Sequence, residues 1–277
     1  MLEAPFMVRA LAELALLALI CGPVSVFVFA RRLSFVADAL THTVFPGVVV
    51  GFVAAGTEGI FGGAMVAGVL TAVVLTLLTR GGRLSDDAAT AVVLTAMFSV
   101  GVALVSRRSS YTSDLTTFLF GRILTVTDRQ LAETAVLAVV ILLLVAVGAR
   151  AWLFRAFDPA GSTAAGYRGT LLDLWLNLVI ALVVVAAVRA VGTVLVIALL
   201  VVPAAAARTV TARLPAMALL GTALTLLAGY AGLWVSWTAS IEYGVRLTSA
   251  TAVVLALVLA YAVLLPVGRL RARRWSR

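Results

Sequence analysis

The sequence predicts an all-α fold, a polytopic integral membrane bundle of about eight to nine transmembrane helices with a short helix on its cytoplasmic side. Three observations predict it. The 277 residues are 63% hydrophobic with a mean hydropathy of +1.16, against roughly 45–50% apolar usage in soluble domains. The apolar residues fall in runs of about 20, the length that crosses a hydrocarbon core of about 30 Å. The polar residues gather in short links, none large enough for a soluble domain, so one membrane domain is expected over residues 1–277.

The first run covers 9–30. Its lead-in, "MLEAPFMVRALAELALLALICG", has an acid at position 3 and no basic start, and so reads as a retained span, not a cleaved signal. The following runs are 37–55, 60–79, 88–106, 131–149, 171–190, 192–210, 216–236 and 249–267. Only "RAVG" separates the sixth from the seventh, which predicts a tight hairpin. Residues 107–130, "RRSSYTSDLTTFLFGRILTVTDRQ", are semi-polar and read as a loop or a re-entrant piece. The longest inner link is "RAWLFRAFDPAGSTAAGYRGT", 150–170. In it Asp158 and Pro159 fit the N-cap and first position of a helix, and Gly166 fits its C-terminal stop. About two turns of helix are expected there, with an irregular loop as the alternative.

The net charge is +9 and all 21 basic residues are arginine. They lie singly at helix ends and form no nucleic-acid-binding face. Their distribution instead orients the chain, because arginine accumulates on the cytoplasmic side. With the N-terminus outside, fourteen fall inside and seven outside, so N-out, C-in is expected for a multi-pass protein of the cell membrane. The absence of lysine excludes a Walker A loop, and with one histidine no H-E-x-x-H site exists. No G-x-S-x-G occurs either, so the chain is expected to be neither an ATPase nor a hydrolase. Cys21, the only cysteine, reads as a small buried hydrophobe.

One membrane segment carries chemistry. "RRLSFVADALTHTVFPGVVVGF", residues 31–52, holds Asp38 and His42 one helical turn apart. At i, i+4 their side chains share a face, where an imidazole nitrogen and a carboxylate oxygen can converge on one divalent ion. Pro46 removes a backbone donor and frees the His42 carbonyl, so a kink is expected there, and a second at Pro203. Gly47 and Gly51 permit close helix approach. Ligand pair and structural hydrogen-bonded pair are both open on these residues alone, since two ligands are too few for a tight site. Glu13, Glu133, Asp173 and Asn177 read as packing or interfacial residues.

The same segment resembles the signature of the zinc, manganese and iron permeases of the ATP-binding-cassette class. An arginine pair, an alanine-aspartate and a histidine ahead of Pro-Gly carry the resemblance. "FDPAGSTAAGYRGTLLDLWLNL" is similar to that family's cytoplasmic element, and "AVRAVGTVLVIALLVVPAAAARTVT" to a later block; "DLTTFLFGRILTVT" matches less strictly. The resemblance implies a permease subunit that works with a second copy of itself. It implies docking to separate ATPase subunits on the cytoplasmic side and supply by an extracellular metal-binding protein. It further implies that Asp38 and His42 line the path of a transported Zn2+ or Mn2+, or iron, with no tightly bound cofactor. The Asp158–Gly166 element matches the helix that couples to the ATPase. Two departures stand out: Ala160-Gly161 replaces the family's acid after Asp-Pro, and the Pro-Ser-Gly usual near Glu242 is missing. An ATP-independent secondary metal or proton-coupled transporter or channel is the rival reading of the residues.

Overall fold

The computed structural model describes residues 4–80, 84–106, 121–245 and 247–275, with backbone alone over 267–275. Its helices are α1 (Pro5–Ala30), α2 (Ser34–Thr43), α3 (Phe45–Thr79), α4 (Asp86–Val105), α5 (Asp128–Phe157), α6 (Pro159–Ala164), α7 (Gly169–Val210), α8 (Leu214–Glu242) and α9 (Ser249–Trp275). A 3-10 turn at Ile123–Thr125 precedes α5, and no β-strand occurs among the described residues. Among the described residues seven helical runs are long and apolar enough to cross a membrane, α2 and α3 counting together as Ser34–Thr79. Residues 107–120, most of the segment expected as loop or re-entrant piece, lie outside the described residues.

Two of the seven runs double back. In α3, Ala55 and Gly56 leave the helical region, Gly56 at φ 63°, where only a residue without Cβ is at ease. A Cβ built on Gly51 would lie 2.1 Å from the carbonyl oxygen of Gly59, and one on Gly47 2.1 Å from that of Gly63. In a straight helix residues 47 and 63 would be about 24 Å apart, so the two arms are antiparallel and in backbone contact. The second break is Gly192, at φ 73° in α7. Asp173 on one arm meets Arg31, while Ala204 and Ala207 on the other pack on Val26. Both arms therefore end beside the last turns of α1, which a continuous 42-residue helix of about 63 Å cannot do. The "RAVG" joint is the hairpin its brevity predicts, and the two folded-back runs raise the seven to the nine arms read from the sequence.

Burial separates the centre from the lipid-facing rim. In their most apolar windows α1 is 67% and α7 78% buried, whereas α4, α5 and α9 are each 28% buried. A helix apolar all round is at home either in a core or in lipid, and here position decides which. α1 packs on α5, α7 and α8; α7 also takes α2, α3 and α9. One difference from the sequence reading lies in the 150–170 link. Residues 150–157 are not loop but the last turns of α5. "RAWLFRAF" contains no breaker, and Trp152, fully buried, anchors these turns against Phe27 and Trp175 with ring centroids 5.2 Å away in each case.

Candidate functional site

The site begins at an irregular turn within the second membrane run. Pro46 falls in the first turn of α3, and α2 stops at Thr43, with Val44 as the joint. Thr41 donates its hydroxyl to the Asp38 carbonyl at 2.7 Å, and Thr43 donates to that of Leu40 at 3.4 Å. Both are local bonds that compete with the helical ladder. α2 thus presents its last two turns at a break inside the bundle, between α4 and α7.

On those turns His42 Nε2 stands 3.6 Å from Asp38 Oδ1. That is long for a direct hydrogen bond, whose heavy atoms lie about 2.7–3.2 Å apart. It matches two ligand atoms about 2.1 Å from a shared cation at an angle near 120°. The two side chains are 28% and 33% exposed, open enough for an ion to reach. Phe98 of α4 sets its ring edge-on to the imidazole, centroids 5.9 Å apart, and also faces Phe45 at 6.1 Å. Gly101 lets α4 come this close, for a Cβ there would meet the Phe45 ring at 2.5 Å. The sequence reading missed Phe98, because nothing local in α4 reports its neighbour on α2. Among the described residues no cluster of three or more His, Cys, Asp or Glu exists that suits a metal. Among the described residues the pair could supply a cation with two ligands at most, the remaining positions falling to water, backbone or another molecule.

The second set of singled-out residues forms α6. Asp158 Oδ1 accepts the Gly161 N–H at 2.7 Å, and Pro159 occupies the first turn. At the other end Gly166, at φ 90°, donates to Thr163 O, and Tyr167 donates to Ser162 O, each at 3.0 Å. This is the paired closure that a glycine stop allows. The element is displayed rather than packed: Phe157 is 73% exposed, and Asp158, Pro159 and Ala160 are exposed beside it. Pro203 lies within the second arm of α7, where the only non-helical backbone is at Gly192.

The remaining intramembrane polar residues divide between the two ends. Asp173 takes three hydrogen bonds, from Arg31 at 2.8 Å and from Arg155 at 2.9 and 2.7 Å. Asn177 donates to Thr76 at 3.0 Å. At the opposite end buried Glu13 accepts from Thr134 at 2.9 Å. Glu133 there bridges Arg189 at 2.6 Å and Arg129 at 3.2 Å, and Arg129 reaches Glu58 beside the α3 hairpin tip.

Comparison with known proteins places this architecture. The manganese transport system membrane protein MntC of Halalkalibacterium halodurans is 32% identical over 236 residues, 85% of this chain and 80% of that protein. A relative from Haemophilus influenzae named for iron transport is 27% identical, over 94% and 95% of the two chains. Among solved structures, PsaBC from Streptococcus pneumoniae in complex with Fab superposes with a TM-score of 0.81 at 27% identity, covering 95% of this chain and 91% of that one. The model of the ABC 3 transport family matches residues 3–265. The bundle that carries Asp38 and His42 at its broken second span thus belongs to the ABC 3 transport family.

Proposed function

We propose that this chain is the membrane permease of an ATP-binding-cassette importer for a divalent transition metal ion, with manganese the foremost cargo and iron and zinc its competitors. The observation that carries the reading is the Asp38–His42 pair, 3.6 Å apart at the break of a membrane span. The family supplies its context, and the relatives named for manganese and iron supply the choice of metals. An imidazole nitrogen beside one carboxylate favours a divalent transition metal ion over sodium or calcium, which prefer all-oxygen sites. Two ligands hold loosely, as transport requires, because the ion must leave as readily as it enters.

In this reading two copies of the chain form the pathway, a metal-binding protein delivers the ion to the outer face, and ATPase subunits engage the inner face. α6 is the contact for the ATPase, since it is short, capped and exposed. ATP-driven closure of those subunits moves α6, and the arms rock to pass the ion inward. The N-terminus is outside and the C-terminus cytoplasmic.

The test is uptake of radioactive Mn2+ by vesicles holding the chain with its ATPase and supplied with the metal-binding protein. Asp38→Ala and His42→Ala are each expected to lower ATP-dependent uptake about 10–100-fold while the assembled complex is still recovered. Competition by unlabelled Fe2+ and Zn2+ in the same vesicles ranks the cargo. Undiminished uptake in both variants would remove the pair from the pathway.

A further inference from the structure

We propose that Asp173 is a positioning residue for transport: it is the joint that carries movement of α6 to the helix bearing Asp38 and His42. The inference rests on the permease reading above. Its substance is a connection among three places that are far apart in sequence.

Arg155 lies in the last turn of α5, immediately before α6, and grips Asp173 through Nε to Oδ1 at 2.9 Å and Nη2 to Oδ2 at 2.7 Å. Two parallel bonds fix direction as well as distance, which a single ammonium contact does not. Asp173 itself is in the first turns of α7, just beyond α6. The two roots of α6 are therefore clamped to each other, and the clamp needs Gly169, where a Cβ would lie 2.4 Å from Arg155 Nη1. Asp173 Oδ1 accepts a third bond, from Arg31 Nη2 at 2.8 Å.

Arg31 is the corner between α1 and α2. Arg32 beside it sits at φ 57°, a conformation a side chain keeps only where its surroundings dictate it. From this corner the chain runs directly into α2, and Asp38 and His42 follow about 6 and 12 Å along that helix. Displacement of α6 shifts Asp173, Asp173 draws Arg31, and Arg31 swings α2. The aromatic stack of Trp152 with Phe27 and Trp175 ties α5, α1 and α7 at the same end, so the push is transmitted and not absorbed.

The joint also has room to work. A cavity of about 40 Å³ adjoins it, lined among others by Arg31, Asp173, Asp86, Thr90 and Asn177. Closed packing would leave a rotating guanidinium nowhere to go. Asp86 lines the same space and adds a second carboxylate to it.

The experiment uses vesicles holding the full transporter and measures Mn2+ uptake and ATP hydrolysis together, so that metal moved per ATP is read directly. Asp173→Asn keeps the size of the side chain and removes the charge that holds both arginines. Hydrolysis is expected to persist while the metal-per-ATP ratio falls about tenfold or more, the size of an ordinary coupling between sites. A purely structural role would lower uptake and hydrolysis together and leave the ratio unchanged, and that result overturns the joint. Where Asp173→Asn does not assemble, Arg155→Lys, which keeps the charge and loses the fork, and Arg31→Met, which loses the single bond to Asp173, carry the same test; an unchanged ratio in both overturns it equally. Absence of ATP-driven uptake by the wild-type chain is the separate outcome that overturns the permease reading, and the joint with it.

Discussion

At the scale of single residues, the cap of α6 has a measurable consequence. Asp158 holds the Gly161 N–H at 2.7 Å, and loss of such a cap costs about 1 kcal/mol of helix stability. If α6 is the ATPase contact proposed above, Asp158→Ala is expected to weaken that binding about fivefold, with Asp158→Asn near wild type because asparagine caps as well. Gly161→Ala belongs with the alanine variant, since its Cβ would fall 2.1 Å from Asp158 Oδ2 and displace the cap. Titration of the detergent-purified chain with ATPase checks all three. The pattern Asp-Pro ahead and Gly behind was legible because caps are decided within a few residues. So was the i, i+4 pair Asp38 and His42. Phe98 and the Asp173 partners were not: Arg31 is 142 residues from Asp173, and only tertiary structure joins them.

At the scale of elements, glycine decides which membrane runs fold back. The breaks at 55–56 and 192 were visible as gaps between apolar runs, and Gly47 and Gly51 as a surface for close approach. What the sequence left open was the partner of that surface, which is Gly59 and Gly63 of the returning arm. A side chain at Gly51 would strike backbone, which cannot rotate away as a side-chain end can. Gly51→Val is therefore expected to cost about 3 kcal/mol, the upper part of the usual overpacking range. Gly56→Ala, which meets no neighbouring atom but is strained by its backbone at φ 63°, ψ −146°, should cost about 1–3 kcal/mol. Thermal unfolding in detergent should rank wild type above Gly56→Ala above Gly51→Val, and the reverse order of the two variants would show that the hairpin is not held by this contact. The length of α5 was the element least legible, because a helix end without a breaker is set by Trp152 and its tertiary neighbours.

For the whole molecule, the arginine bias and the three-dimensional arrangement make a joint statement about the membrane. Folding brings Arg31, Arg155 and Asp173 to one end of the bundle, with Thr79 beside Arg31. Arg9, Arg129 and Arg189 lie at the other end, where each meets an acidic partner. On the sequence count of fourteen arginines against seven, the proposed orientation turns α6 toward the cytoplasm and the α3 hairpin tip away from it. One arm tests this, because Thr57 and Arg80 mark its two ends and both are exposed. With buried Cys21 changed to serine, Thr57→Cys is expected to react with a membrane-impermeant maleimide in intact cells, and Arg80→Cys only after permeabilisation. The two results must be reciprocal if the arm crosses once. The opposite pattern would put α6 outside, where no ATPase can reach it, and both the coupling role of α6 and the joint at Asp173 would fall together.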